Sequence, residues 1–148
     1  MRKNLKPTIL KFVAFILIFS FILPCTVMAT TTDAIQPYAS NYLTAYNTYI
    51  CNMTNGEIQI WYEVIGKGTM DEIGTLSIEL YEVNSNGSLT WVKTFQHEDY
   101  DSMLTYNDYY HYSHVSYQGS SSKTYKAYVC IWAGKNGSGD TRYMWATE

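Results

Sequence analysis

The pattern of apolar and polar residues changes along the chain. Residues 12–23 form an apolar run interrupted only by Ser20, whereas from residue 42 onward apolar and polar residues alternate. Alternation with a period of two is typical of half-buried strands, because successive side chains point to opposite faces of a sheet. The alternating segments predict seven strands, at residues 42–53, 58–65, 75–80, 89–96, 109–117, 125–133 and 141–147. No comparable helical period is present, so we expect helix to be minor.

Turn signals separate these segments. Asn-Gly pairs occur at residues 55–56, 86–87 and 136–137, and both residue types tolerate the positive φ that a type I′ hairpin turn requires. Residues 66–71 are predicted as a loop, and residues 97–107 as a longer acidic loop. The pattern favours an all-β fold with a single antiparallel β-sandwich of about seven strands, immunoglobulin-like or similar. A small up-and-down β-barrel is the alternative.

The first 29 residues have the three-part layout of a secretory signal peptide. Basic residues up to Lys11 precede the apolar run, Pro24 ends it, and Ala29 stands at the predicted cleavage site. About 12 apolar residues span ~18 Å of helix, which is too short for a ~30 Å hydrocarbon core. We therefore expect a secreted, extracellular protein without stable membrane insertion. Residues 30–40 form a partly ordered lead-in, and residues 41–148 form the folded domain.

Removal of this segment changes the charge of the protein. The whole chain has 10 basic and 13 acidic residues and a formal net charge of −3. Four basic residues and no acidic ones lie in residues 1–29, so the mature chain carries a net charge of −7. The six remaining basic residues are scattered. This balance disfavours anionic membranes as partners and leads us to expect no nucleic-acid partner, because both present negative charge.

Cysteine usage predicts one cross-link. Cys51 and Cys130 are the two cysteines of the mature chain, and in an oxidising compartment such a pair suggests a disulfide. Two separate buried thiols are the alternative, since spacing along the chain does not show whether the Cα atoms lie within about 7 Å.

Tyrosine is the outstanding feature of the composition, with 15 residues that all follow residue 29. Strands favour tyrosine, because its ring fits a pleated and half-buried surface. Residues 106–117 are the densest stretch, and alternation must place rings on both faces of that strand. Exposed aromatic rings suit sugar stacking or a protein partner. The candidate contacts for a ligand are Trp91, Tyr109, Tyr110 and Tyr112.

Catalytic and metal motifs are weak or missing. His111 and His114 are three residues apart, which on a strand sends their side chains to opposite faces. The acidic loop lacks the spacing of a calcium-binding loop. The sequence contains neither a Gly-x-Ser-x-Gly motif nor a phosphate-binding glycine loop. We therefore expect no catalytic residue, no metal and no cofactor. A hydrolase built on paired carboxylates is an open alternative.

Five segments resemble a family of small secreted proteins of Gram-positive bacteria that is known only as a domain of unknown function: residues 32–38, 70–82, 91–95, 106–119 and 125–143. The resemblance implies a secreted single-domain protein and carries over no functional residue. Together with the exposed aromatics, it leads us to expect a non-catalytic extracellular binding module for a glycan or protein ligand. A bacteriocin-like toxin or a secreted enzyme inhibitor is the alternative function.

Overall fold

A computed structural model describes residues 40–148, so the predicted signal peptide and most of the predicted lead-in lie outside the described residues. The described part is all-β, as predicted. Its strands are β1 (Leu43–Asn52), β2 (Glu57–Val83), β3 (Leu89–Gln96), β4 (Leu104–Gln118), β5 (Thr124–Lys135) and β6 (Ser138–Thr147), with a short 3₁₀ turn at Asp101–Met103. From residue 40 onward there is no helix long and apolar enough to cross a membrane.

Strand β2 is the centre of one antiparallel sheet. Its first part pairs with β1 along one edge and with β4 along the other. Its last part pairs with β5 along the first edge and with β3 along the second. Strand β6 extends the sheet beyond β5. Strands β3 and β4 therefore follow each other along the same edge of β2.

Residues 66–71 belong to β2, and the prediction of a loop there was wrong. The second and third predicted strands are one strand of 27 residues. Fully extended, it would span ~85 Å at about 3.3 Å per residue. However, residues 119–123 join the end of β4, which lies beside Glu57, to the start of β5, which lies beside Val83. That connection reaches at most ~22 Å. Strand β2 must therefore double back.

The sheet thus folds over into two arms, as a half-barrel. The first arm consists of β1, residues 57–65 of β2, and β4; the second arm consists of β3, residues 75–83 of β2, β5 and β6. The arms touch near the ends of β2, where the Asn52 side-chain amide donates to the Lys123 carbonyl at 3.0 Å. The Lys123 ammonium lies 2.7 Å from the Glu82 carboxylate.

The core lies between the inner faces of the two arms. Within each arm, every second residue of β2 contributes its side chain to the core, because one of the two faces of the sheet points inward. Residues of β2 therefore line the core from both arms. The Tyr62 ring is fully buried, and its hydroxyl donates to the Ser102 carbonyl at 2.8 Å, which satisfies the phenol. The largest fully buried side chains include Ile58, Ile60, Tyr62, Val64, Ile73, Ile78, Leu80, Phe95, Met103, Val129 and Ile131.

A glycine allows the close packing at the bend. Gly74 lies opposite Leu104 of β4 and Trp132 of β5. Its φ is +147°, and a Cβ built on it would lie 2.2 Å from the Met103 carbonyl oxygen. A side chain at this position would therefore push the 3₁₀ turn away from β2.

The predicted Cys51–Cys130 disulfide is absent, and both thiols are free. Cys51 lies opposite Gln59 in the first arm, and Cys130 lies opposite Ser77 in the second. Each belongs to the outward phase of its strand, so the core separates them. In immunoglobulin domains a core tryptophan packs on the disulfide between the sheets. Here Trp61 faces outward and Cys51 and Cys130 are not bridged, so this packing does not occur.

We expect Cys51 and Cys130 to react with iodoacetamide in denaturant without reductant, giving two adducts by intact mass in a protein that comprises residues 30–148 and therefore lacks Cys25. In the folded protein Cys130 should react more slowly than Cys51. Cys130 is buried and Cys51 is half-buried, and burial raises the pKa of the Cys130 thiol. A protein that needs reductant before it can be alkylated would contradict the free thiols.

We expect Gly74→Ala to lower the free energy of unfolding by about 3 kcal/mol or more, because it adds a backbone clash to an unfavourable φ. Gly87→Ala is the matched control. Gly87 also has a positive φ, but a Cβ there meets nothing within 4 Å, so its cost should be about 1–2 kcal/mol. Urea unfolding of the three proteins measures both values. Equal losses in the two variants would show that the Met103 contact is unimportant.

Candidate functional site

The outer face of the first arm carries a cluster of aromatic rings. Register places Tyr49 of β1 opposite Trp61 of β2, and Trp61 opposite His114 of β4. The ring centroids of Tyr49 and Trp61 are 6.3 Å apart, and those of Trp61 and His114 are 4.2 Å apart, with interplanar angles of 8° and 27°. Tyr112 also stacks on Trp61, at 5.1 Å. We call these rings, together with Tyr110, the first-arm aromatic face.

Hydroxyl groups hold these rings in place. The hydroxyls of Tyr49 and Tyr112 lie 2.7 Å apart, so β1 and β4 are bridged across β2. This hydrogen bond is the largest of the causes that raise the pKa of Tyr49 to about 12. The Tyr110 hydroxyl donates to Glu63 at 3.1 Å. Desolvation, followed by this hydrogen bond, raises the pKa of Tyr110.

A hydrogen-bonded chain extends from Trp61 to a carboxylate. The Trp61 indole N–H donates to Gln59 at 3.1 Å, and the Gln59 amide donates to Glu57 at 3.0 Å. The Ser116 hydroxyl also donates to Glu57, at 2.8 Å. These bonds, with Gln59 first, lower the pKa of Glu57, because they stabilise its charged form. Glu57 is therefore ionised at neutral pH.

The permanently charged side chains of the first arm are all acidic. Strand β1, residues 57–65 and strand β4 contain no lysine and no arginine. Their carboxylates are Glu57, Glu63 and Asp108. Rings, amides and hydroxyls alternate with these carboxylates, so the face offers many hydrogen-bond acceptors and no permanent positive charge.

The second arm has its own outward-facing aromatics. Tyr128 of β5 stacks on Tyr143 of β6 at 5.5 Å and 13°, and it contacts Trp145 at 4.9 Å. Tyr81 of β2 contacts Trp145 at 5.8 Å. The Cys130 thiol borders this group, and its hydrogen bond to Tyr143 is the main cause that raises the pKa of that tyrosine.

The four sequence-predicted contacts do not form one site. Tyr110 and Tyr112 lie together on the first-arm aromatic face and are 39% and 45% exposed. Tyr109 is 59% exposed, but it lies where the register of β4 with β2 shifts. Its side chain points to the opposite side of the strand from those of Tyr110 and Tyr112. Trp91 is 60% exposed and lies on β3, in the second arm, opposite Tyr81. The structure therefore brings two of the four together.

Sequence reasoning missed the centre of the first-arm aromatic face. Trp61 stands on the solvent phase of an alternating segment whose other phase is Ile58, Ile60 and Val64. An aromatic residue at an otherwise polar position was the available signal. Tyr49 could not be assigned to the same face from the sequence, because its partner depends on the register of β1 with β2.

The two histidines of β4 lie on opposite faces. His111 points inward, contacts the Tyr62 ring at 5.7 Å in a tilted arrangement and hydrogen-bonds the Ser102 carbonyl at 2.8 Å. Burial lowers the pKa of His111. His114 points outward and stacks on Trp61. Residues 40–148 contain no group of three or more His, Cys, Asp or Glu side chains arranged to hold a metal ion.

Comparison of the chain with protein-family models, with curated proteins and with solved structures finds no match.

We expect Tyr112→Phe to lower the pKa of Tyr49 toward its ordinary value of 10.0, because the hydrogen bond between the two hydroxyls is lost. In an ultraviolet titration of tyrosine ionisation, the step at the highest pH, which belongs to Tyr49, would move to lower pH. Tyr106→Phe is the control, since the Tyr106 hydroxyl has no hydrogen bond within residues 40–148. A step at the highest pH that is unchanged in Tyr112→Phe would contradict the bridge.

Proposed function

We propose that this protein is a secreted, non-catalytic binding module that holds an extracellular glycan through its first-arm aromatic face. The observation that carries the proposal is the pair of exposed rings, Tyr110 and Tyr112, fixed beside carboxylates on an arm without lysine or arginine. Secretion rests on the layout of residues 1–29 alone.

Preorganisation supports this role. The hydroxyls of Tyr110 and Tyr112 are already hydrogen-bonded within the face, so a ligand would immobilise few additional rotamers on binding. Tyrosine also has few side-chain torsions and a large contact area. A ring surface of this kind stabilises a complex mainly by stacking and apolar contact.

The polar groups between the rings favour a sugar over a purely apolar ligand. Sugar hydroxyls can donate to Glu57 and Glu63, while the apolar C–H face of a sugar ring packs on tyrosine. Since the face has no cationic group, it does not attract anionic polymers. The ligand class that fits best is therefore a neutral glycan.

A protein partner is the competing ligand class. A stable protein interface needs about 800 Å² from each partner, and its core is usually depleted of charged residues. The first-arm aromatic face has two glutamates among its rings, so the glycan is the better fit.

We expect the double variant Tyr110→Ala/Tyr112→Ala to bind a neutral glycan at least about tenfold more weakly, because two stacking rings are removed. Tyr109→Ala is the matched control on the same strand, with the same residue type on the opposite phase, and should bind as the unmodified protein does. Affinity electrophoresis or calorimetry gives the affinities, and circular dichroism checks that the variants are folded.

Two results would refute the proposal. One is a folded double variant that retains full glycan affinity. The other is a protein that binds no glycan and instead captures a protein ligand through Tyr110 and Tyr112.

A further inference from the structure

A shallow depression lies at the bend of β2, beside the β5–β6 hairpin. Its volume is about 240 Å³, and it is lined by Asp71, Glu72, Trp132, Gly134, Lys135, Gly137 and Ser138. Sites for drug-sized ligands occupy ~300–1,000 Å³. This depression is therefore of the size that accepts one small ring.

An indole ring that lies against backbone forms part of the lining of the depression. Gly134 pairs with Gly139 across β5 and β6. A Cβ built on Gly134 or Gly139 would lie 2.6 or 2.4 Å from the Trp132 ring. The ring therefore lies directly over both glycines, and it also lines the depression. The indole N–H donates to Glu72 at 3.3 Å, which holds the ring in that orientation.

The rim of the depression is polar, and its side chains are held in place. The Asp71 carboxylate accepts a hydrogen bond from the Asn136 backbone N–H at 2.6 Å. The Lys135 ammonium donates to the Thr69 carbonyl at 2.8 Å. Each carboxylate of the rim uses one oxygen in these contacts, so within residues 40–148 the second oxygens of Asp71 and Glu72 remain as acceptors. Lys135 retains N–H groups that can donate.

We propose that this depression binds one neutral pyranose unit of a glycan, with the C–H face of the sugar on Trp132 and its hydroxyls on the rim. The proposal goes beyond the proposed function, because the depression is a second site that lies outside the first-arm aromatic face. A pyranose has an apolar face surrounded by hydroxyls, which matches a lining that combines one indole ring with two carboxylate acceptors and one ammonium donor. An aromatic side chain of a protein partner would leave most of the rim groups without partners, which is unfavourable.

The charge of the rim further restricts the class of sugar that the depression can bind. Two carboxylates and one ammonium give a net negative rim, which disfavours uronic acids and sulfated sugars. The same charge disfavours a nucleobase that carries its phosphates, although a base would also stack on tryptophan.

The test is a nuclear magnetic resonance titration of the full protein with three neutral probes: the hexamers of β-1,4-linked glucose and β-1,4-linked N-acetylglucosamine, and a mannose oligomer. The Trp132 indole N–H signal is assigned by its absence in Trp132→Phe. We expect at least one probe, at up to millimolar concentration, to shift this signal in a saturable way.

Variants separate binding from folding. Trp132→Ala should weaken the binding of that probe at least about tenfold. Trp91 is exposed, and the control variant Trp91→Ala should leave the affinity for the probe unchanged.

Because Trp132 also covers two glycines, its loss can loosen the hairpin. Asp71→Asn is therefore the second variant. It keeps an acceptor for the Asn136 N–H but removes the charge, and it should weaken binding severalfold without unfolding.

The outcomes distinguish this inference from the proposed function. If a probe binds and Tyr110→Ala/Tyr112→Ala weakens it, while the Trp132 signal does not move, the depression is not a sugar site and the proposed function stands. If the Trp132 signal moves but the tyrosine variant binds normally, the depression is the sugar site and the first-arm aromatic face is not. If no probe shifts any signal, both proposals are overturned.

Discussion

The rest of the structure depends on the folding-over of one strand. Strand β2 runs without interruption over 27 residues, and the short connection at residues 119–123 requires its two ends to lie close together. The inner faces of the two arms then enclose one core, and their outer faces become separate surfaces. Gly74 permits the bend, because it accepts a positive φ where the backbone of the 3₁₀ turn lies against β2.

The bend also accounts for the chemistry of the surface. It places Asp71 and Glu72 beside the β5–β6 hairpin, where Trp132 covers a pair of glycines. On the first arm, cross-strand register stacks Tyr49, Trp61 and His114 in one row. Both surfaces combine fixed aromatic rings with hydrogen-bond acceptors, and this combination supports the proposed role in binding neutral sugars.

Tyrosine serves two purposes in this protein. Tyr62 and Tyr125 are buried, and others pack at the margin of the core: Tyr42, Tyr46, Tyr100 and Tyr117. These buried and half-buried tyrosines have a structural role. They explain part of the high tyrosine content, as the preference of strands for tyrosine would suggest. Among residues 40–148, the exposed tyrosines are Tyr106, Tyr109, Tyr110, Tyr112 and Tyr143. Exposure by itself does not define a site, because Tyr109 and Tyr110 are neighbours on the chain and face in different directions.

The sequence by itself determined the all-β class and most strand positions, because these depend on local alternation and on Asn-Gly turns. It also placed His111 and His114 on opposite faces. Only the tertiary structure decided that residues 66–71 continue a strand, that Cys51 and Cys130 lie on different arms, and that Trp91 and Tyr112 belong to different surfaces. These outcomes depend on register and on the bend, which bring together residues far apart in the chain, and a local pattern carries no information about such contacts.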